Sequence, residues 1–297
     1  MDFKNAEELL EICEKERMSI ADVMRKREQT EGKIDAETVE NRMKKALKIM
    51  FEASHEPLEK EFSSMGGLIG GEAGKLEKKR LEEKSICGDV LSKAVIYSQA
   101  VLEVNASMGV IVAAPTAGSS GVIPAVLFAL QEEKQLEEKI LLDGLFTAGA
   151  VGYLLMRNAS VSGAEAGCQA EVGSASAMAA AAAVEMMGGS PGQCLDAASV
   201  AISNLLGLAC DPIAGLVEAP CQSRNALGAS NALICAEMAL AGIPAVIPFT
   251  EMAEAMYKVG RGMPVELRET ALGGCAATKT GCRYKKEIFS VSIPDKR

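Results

Sequence analysis

The sequence lacks tryptophan, and aromatic residues of every kind make up only 4% of the chain. It contains a single histidine, His55, and no pair of cysteines at the CxxC spacing of zinc sites. Its formal net charge is −9, which argues against nucleic-acid binding through a basic surface. The composition therefore disfavours base stacking on aromatic side chains and metal sites built from histidines.

Long hydrophobic runs and a secretory leader are missing as well. The most apolar stretch, residues 232–249, is interrupted by Glu237 and two prolines, so we predict no membrane span. The N-terminal residues are charged and amphipathic, which favours a cytoplasmic protein over an exported one. In that compartment nine cysteines indicate reduced thiols and not a disulfide framework.

Helical periodicity dominates what is present, and alternating β-branched residues are rare. Residues 4–51 predict helices, one of them capped by Ser19, and the alanine-rich residues 174–187 predict a buried helix. The C-terminal tail is polar, and we expect it to be less ordered. No repeat or linker is visible, so we predict a mostly α fold with one helical domain over residues 1–297. Further predicted helices cover residues 85–109, 140–160, 194–209, 228–241 and 251–259.

Three cysteines lie in surroundings broken by glycine and proline. Cys168 ends a glycine-rich run, Cys210 precedes Asp-Pro, and Cys221 follows a proline, so each lies where regular structure tends to break. Thiolates without imidazole favour iron–sulfur chemistry over zinc, and a cluster on three cysteines leaves one iron open as a Lewis acid. The alternative is that each is a small buried apolar residue. That role fits the cysteines embedded in helical pattern, which are Cys13, Cys87, Cys194 and Cys235.

Two glycine-rich loops are candidates for binding an anion. In PTAGSSG, the hydroxyls of Thr116, Ser119 and Ser120 stand beside Gly118, a composition that can form a nest for a carboxylate or phosphate. An ordinary Gly/Ser turn is the alternative. GGLIGGEAGK, residues 66–75, does not have the spacing of a nucleotide-binding P-loop and is equally compatible with a flexible loop.

The remaining polar candidates concern proton transfer and support of the sulfurs. His55 lies among glutamates, so we expect a solvated surface histidine, and an acid or base would then be a lysine, glutamate, serine or a partner's residue. The segment after Cys221 carries Arg224, Asn225, Ser230 and Asn231, from which we expect hydrogen bonds to ligand sulfurs or substrate. Helix capping by Asn225 and Ser230 is the alternative.

Five segments together resemble the alpha subunit of the bacterial iron–sulfur L-serine dehydratases. This resemblance implies a mostly helical catalytic domain that deaminates L-serine to pyruvate and ammonia, an L-serine ammonia-lyase of amino-acid degradation and gluconeogenesis. It implies a [4Fe–4S] cluster on Cys168, Cys210 and Cys221, with the open iron acting on the substrate hydroxyl. The segments are EVNASMG (103–109), APTAGSSGVIP (114–124), SGAEAGCQAEVGSASAMAAAA (162–182), CDPIAGLVEAPCQSRNALGASNA (210–232) and MALAGIPAVIP (238–248).

The same resemblance implies a second, beta portion that contributes a catalytic histidine, so we expect the general base to come from a separate beta subunit. Some single-chain members cap the open iron with a cysteine near the C-terminus. This sequence ends in SIPDKR, with Cys275 and Cys282 well before that end, and so departs from the pattern. Three alternatives stay open: an L-cysteine desulfidase with the same kind of cluster, a pyridoxal phosphate dehydratase with Lys279 as the Schiff base, and a non-enzymatic subunit that stores or senses clusters.

Overall fold

The computed structural model describes residues 2–83 and 85–290. Within these residues the chain forms thirteen α-helices and short 3₁₀ or π turns, and its β-type pairing is limited to one isolated bridge between Cys210 and Arg268. The predicted mostly α fold is confirmed. The helices are α1 (Ala6–Glu16), α2 (Ile20–Gly32), α3 (Ala36–Glu59), α4 (Glu72–Glu82), α5 (Gly88–Ala106), α6 (Val122–Lys134), α7 (Glu138–Asn158), α8 (Gly163–Ala166), α9 (Ser174–Met186), α10 (Pro191–Asn204), α11 (Cys221–Leu240), α12 (Phe249–Gly262) and α13 (Lys279–Ser290).

Helix α9 is the centre of the fold, and nearly all its residues are buried. Helices α6, α7, α10 and α11 pack around it. Its small side chains, with glycines opposite, let neighbours approach closely. A Cβ on Gly144 of α7 would lie 2.7 Å from Cγ of Met186, and one on Gly152 would lie 2.7 Å from Cε of Met178. The predicted buried helix over residues 174–187 is confirmed.

Helix α7 is long and apolar enough, by length and composition alone, to cross a membrane. However, 67% of its most apolar window is buried inside the protein, and it packs against α9 and α2. This is the environment of a core helix in a globular protein, as the sequence predicted for residues 140–160.

Local signals placed several helix boundaries correctly. Ser19 caps α2, as predicted, by accepting a hydrogen bond of 3.2 Å from the Asp22 N–H. Two boundary predictions were wrong. Helix α11 begins at Cys221, well before residue 228, and residues 279–290 of the tail form α13. The end of the tail, residues 291–297, lies outside the described residues.

His55 is not the solvated surface histidine that its acidic neighbours suggested. Its side chain is 23% exposed, and its Nε2 lies 3.1 Å from Oε1 of Glu132 on α6. Its ring stacks on Phe51 at 4.0 Å and lies 4.7 Å from the ring of Tyr97. The prediction was wrong because Glu132 on α6 is far from His55 on α3 in the sequence. Local sequence does not reveal such a partner.

Glu132 connects three helices and provides a test of this packing. It also accepts hydrogen bonds from Tyr97 at 2.7 Å and from Lys93 at 2.7 Å. Burial alone would raise the pKa of Glu132, but His55, Lys93 and Tyr97 lower it from 4.5 to about 2. A carboxyl group with a lowered pKa stabilises the fold fully above its ordinary pKa, and that contribution is lost as the pH falls through the lowered value.

Replacing Glu132 with Gln should therefore lower the free energy of unfolding at pH 7 by about 1–2 kcal/mol, since the carboxylate is partly exposed. The difference from the unsubstituted protein should shrink as the pH falls from about 5 toward 2. Urea unfolding over this pH range measures both effects. Glu133→Gln, which removes a contact of 2.7 Å to Lys93, is the matched control and should cost less. A pH-independent difference would contradict the assignment.

Candidate functional site

Cys168 is positioned by the turn between α8 and α9. Gly167 before it has a φ of +74°, and a Cβ there would lie 2.6 Å from Sδ of Met263, so the position requires glycine. After it, residues Gln169–Gly173 form a π-helical turn, a feature often found at functional sites. The Gln169 side chain fixes this turn by donating to the Met256 carbonyl at 2.9 Å and accepting from the Gly207 N–H at 2.9 Å. The thiol is thus held in a rigid, buried position.

Cys210 is fixed by a segment much later in the chain. Its N–H donates to the Leu267 carbonyl at 2.8 Å, and its carbonyl accepts from the Glu269 N–H at 2.7 Å. Cys221 is instead the first residue of α11, directly after Pro220. Both positions match the prediction that these thiols lie in a loop or at a helix end.

The three predicted ligand thiols converge. Each of Cys168, Cys210 and Cys221 is at most 8% exposed, and none forms a disulfide. Burial, followed by the negative charge of nearby Glu171, raises the pKa of Cys168 to about 12. Burial and the nearby Cys168 likewise raise the pKa of Cys221 to about 12, and burial with Glu171 raises that of Cys210 further. Cys168 contributes to the raised pKa of both other thiols, which indicates that the three lie near one another. Among the described residues, however, the group of ligand atoms within 4.8 Å of one another joins Cys210 to Glu171 and Glu269 and does not include Cys168 or Cys221.

Arg224 supplies positive charge to this cluster, as its place after Cys221 suggested. It lowers the pKa of Cys168 and of Cys221, against the effect of burial. Its Nη1 forms an ion pair with Oδ1 of Asp211 at 2.7 Å and donates a hydrogen bond of 2.6 Å to the Ala209 carbonyl. Asp211 in turn accepts the N–H of Cys275 at 2.6 Å. The guanidinium is therefore fixed beside the thiols by a buried carboxylate.

Glu171 is a site residue that sequence reasoning missed. Its Oε1 accepts a hydrogen bond of 2.7 Å from Thr116, and its Oε2 lies 3.5 Å from Sγ of Cys210. Burial raises its pKa. Ligand atoms of Glu171, Cys210 and Glu269 all lie within 4.8 Å of one another, an arrangement that could hold a metal ion. Glu171 lies three residues after Cys168, within the π turn. Its contact with Cys210 depends on the geometry of this turn, which the sequence did not predict.

Gly163 leaves room for this contact between carboxylate and thiol. A Cβ on Gly163 would lie 2.5 Å from Oε2 of Glu171 and 3.1 Å from Sγ of Cys210. Both distances are shorter than side-chain contacts normally allow. The lack of a side chain at Gly163 therefore allows the Glu171 carboxylate to contact the Cys210 thiol.

The predicted anion-binding loop lies beside Glu171, but its three hydroxyls differ in their hydrogen-bond partners. The Thr116 hydroxyl bonds to Glu171, and Ser119 Oγ lies 3.1 Å from Thr116 Oγ1. Ser119 and Ser120 are buried, and among the described residues the Ser120 hydroxyl has no partner. Gly118 is partly exposed, and in the described part of the chain neither its N–H nor that of Ala117 is hydrogen-bonded.

Asn225 connects this loop to Cys221. Its Nδ2 donates to the carbonyls of Gly118 at 2.8 Å and Cys221 at 2.9 Å, and its Oδ1 accepts from the Gly121 N–H at 3.0 Å. Asn225 is fully buried. It therefore serves as a tertiary connection. The capping alternative is wrong: α11 begins after Pro220 without a side-chain cap, and both Asn225 and Ser230 lie inside the helix and donate to the carbonyls four residues before them.

The glycine-rich loop over residues 66–75 is anchored and not flexible. Glu218, which lies between Cys210 and Cys221 and is 2% exposed, accepts hydrogen bonds from Ser64 Oγ at 2.9 Å, the Gly66 N–H at 2.6 Å and the Leu68 N–H at 2.9 Å. A Cβ on Gly66 would lie 2.5 Å from Leu216. The loop therefore belongs to the site and packs against the segment that joins two of the thiols.

Other sequence candidates lie outside this cluster. His55 is bonded to Glu132, and Lys279 is exposed at the first position of α13. Cys282 is exposed, whereas Cys275 touches the site through its N–H to Asp211. The histidine and Lys279 thus have no contact with the three thiols in the described structure.

Comparisons with known proteins show which family this chain resembles. A family model described as "Serine dehydratase alpha chain" matches residues 15–276. The chain is 50% identical over 291 residues to the "Probable L-serine dehydratase, alpha chain" of Bacillus subtilis, covering 98% of this chain and 97% of the relative. It is 43% identical over 287 residues to the "L-serine dehydratase, alpha chain" of Peptoniphilus asaccharolyticus, covering 97% and 98%. It is 38% identical to the "L-serine dehydratase" of Helicobacter pylori, where the match covers 93% of this chain but 62% of the relative.

Removal of the Glu218 carboxylate tests the anchoring of the glycine-rich loop. Glu218→Ala leaves three donors without an acceptor, and we expect the free energy of unfolding to fall by about 3 kcal/mol or more. Urea unfolding measures the loss. Glu218→Gln is the matched control: it keeps one acceptor oxygen and should lose less. Equal stability of all three proteins would show that the loop does not depend on this carboxylate.

Proposed function

The chain belongs to the serine dehydratase alpha chain family, and we propose that it is the catalytic chain of an enzyme that converts L-serine to pyruvate and ammonia. The observation that carries this proposal is the buried cluster of Cys168, Cys210 and Cys221 beside the Thr116 loop. We place the reaction in cytoplasmic amino-acid degradation, as the sequence predicted.

A [4Fe–4S] cluster is the cofactor that suits this set of donors. Cys168, Cys210 and Cys221 would hold it, since all three are buried and free of disulfides, and Cys168 raises the pKa of the other two. The sole histidine of the chain is bonded elsewhere, which disfavours zinc. When bound, such a cluster supplies Lewis acidity that eases departure of the substrate hydroxyl.

The residues of the chain itself bind and orient the substrate in this proposal. We propose that the N–H groups of Ala117 and Gly118, which have no hydrogen-bond partner in the described residues, receive the carboxylate of L-serine, and that Thr116, Ser119 and Ser120 complete the binding loop. Glu171 holds the Thr116 hydroxyl at 2.7 Å and so sets the position of this loop relative to Cys210. Asn225 does the same relative to Cys221.

The chemistry is a dehydration followed by hydrolysis. Removal of the α-proton and loss of hydroxide, together one water molecule, give 2-aminoacrylate. This tautomerises to an imine, and water hydrolyses the imine to pyruvate and ammonia. We propose that a base from a second, beta-type chain removes the α-proton, because the one histidine of this chain lies in the Glu132 cluster.

The alternatives differ in what supports them. The names of the relatives give no support to an L-cysteine desulfidase, and Lys279, the Schiff-base candidate, is exposed on α13. A subunit that only stores clusters would have no need of the substrate loop. Comparison of L-serine and L-cysteine as substrates in one preparation separates the first of these from the proposal.

Anaerobic reconstitution with iron and sulfide tests the cofactor. Cys168→Ser, Cys210→Ser and Cys221→Ser should each lose most of the bound iron and sulfide and the visible absorption. The matched control is Cys235→Ser, another buried thiol, bonded to Asn231 and Asn204, which should retain them. Pyruvate formation from L-serine, with and without the second chain, is assayed in the same samples. Full iron content in all three ligand variants would refute the assignment.

Substitution of Thr116 tests the binding loop separately from the cofactor. Thr116→Val removes the hydroxyl that reaches Glu171 and should raise KM for L-serine about tenfold or more, with iron content unchanged. Thr116→Ser keeps the hydroxyl and should restore KM. Steady-state kinetics that resolve kcat from KM make the measurement. A Thr116→Val variant with unaltered KM would remove this loop from substrate binding.

A further inference from the structure

A short apolar segment, residues 110–113, leads from α5 into the substrate loop without forming regular structure. Met108, with a φ of +61°, ends the helix, and Gly109 donates its N–H to the Val104 carbonyl at 2.9 Å. The next four residues, VIVA, run without helix, turn or bend as far as Ala114. Three of these four are β-branched, which is the composition of a strand.

The polar backbone groups of this segment are unpaired. In the described part of the chain, neither the N–H nor the C=O groups of residues 110–113 have a hydrogen-bond partner. Elsewhere in the fold the backbone is paired mainly within helices. An extended run of four residues therefore presents an edge about 13 Å long with free donors and acceptors.

Two side chains of the segment pack against the protein, and others are exposed and apolar. Ile111 packs on the small cluster of Ala53, Val101 and Val104, and Val112 packs on the main core. By contrast, Val110 is 73% exposed, and Met108 is 75% exposed. A segment that is held in place by the packing of Ile111 and Val112 is already ordered for pairing, so little conformational entropy would be lost on binding.

Met65 extends this exposed surface from the glycine-rich loop. Its N–H donates to the Ala106 carbonyl at 3.0 Å, which places it beside the end of α5, and its side chain is 70% exposed. Met65, Met108 and Val110 are thus three exposed apolar residues in the segments around the end of α5. Large apolar side chains clustered at the margin of a site mark a contact surface for another protein.

The chemistry of the edge and the length of the relatives identify the occupant. Free backbone groups on an extended edge are matched by another extended backbone, which is the mode of β-strand addition. In a relative named L-serine dehydratase without "alpha chain", the match covers 62% of the length, whereas it covers 97% and 98% of the two alpha chains. The remaining part of the longer proteins corresponds to the second chain of the proposed function.

We propose that residues 110–113 form a docking edge onto which an extended segment of the beta-type second chain adds as a β-strand. This inference rests on the proposed two-chain enzyme and specifies where the chains meet. Because residue 113 lies three positions before Thr116, pairing there would bring the second chain, and its base, to the substrate loop.

Amide hydrogen exchange of the alpha chain, alone and in complex with the second chain, tests the pairing directly. The amides of residues 110–113 should exchange quickly in the isolated chain. In the complex, alternate amides, either 110 and 112 or 111 and 113, should slow about tenfold or more, because only every second N–H faces a neighbouring strand. No complex, or no slowing at any of the four, overturns the proposal. Slowing that appears in the isolated chain at high concentration also overturns it, since a second copy would then be the occupant.

A pair of proline variants provides matched controls for each other. Val110 and Ala113 are both exposed, and as residues of opposite parity they point their N–H groups to opposite sides of the segment. Of Val110→Pro and Ala113→Pro, one should weaken binding of the second chain about tenfold and the other should not. Unaltered binding in both overturns the proposal. Iron content and L-serine turnover of the unsubstituted complex are recorded in parallel: if these are present without protection at residues 110–113, this inference fails alone, and if they are missing, the proposed function fails.

Discussion

Three sulfurs from separate parts of the chain are brought together in a buried place, and most of the other interactions follow from this requirement. Burial favours the protonated thiols, because a thiolate loses its hydration in apolar surroundings. Arg224 opposes that tendency at Cys168 and Cys221, and its own burial is supported by Asp211. A metal bound at these thiols would have to displace the protons that burial retains, because a coordinating thiol is deprotonated.

Small residues set how closely the elements of this fold approach one another. Glycines on α7 leave room for Met178 and Met186 of α9, so these two helices pack closely. The same principle applies at Gly163, where an added methyl group would separate Glu171 from Cys210. At Gly163 the small residue thus determines the distance between two functional groups.

Local pattern predicted the helices, the Ser19 cap and the buried α9, because these depend on periodicity and capping within a few residues. The sequence also predicted that the three cysteines lie in loops or at helix ends, since glycine and proline mark breaks in regular structure. Glu171, Glu218 and the true environment of His55 were not, because each depends on partners more than fifty positions away. The polar tail was misread for a related reason: amphipathic α13 gains its helical structure by packing on distant turns.

The pairing of Cys210 with residues 267–269 also sets an order of assembly. Its backbone partners, and the Cys275 N–H that holds Asp211, follow all three thiols in the chain. At about 5–20 residues synthesised per second, the last sulfur leaves the ribosome on the order of seconds before the segment that encloses it. The nascent protein thus passes through a stage in which the sulfurs are accessible and the enclosing wall does not yet exist, and delivery of metal is least hindered during that stage.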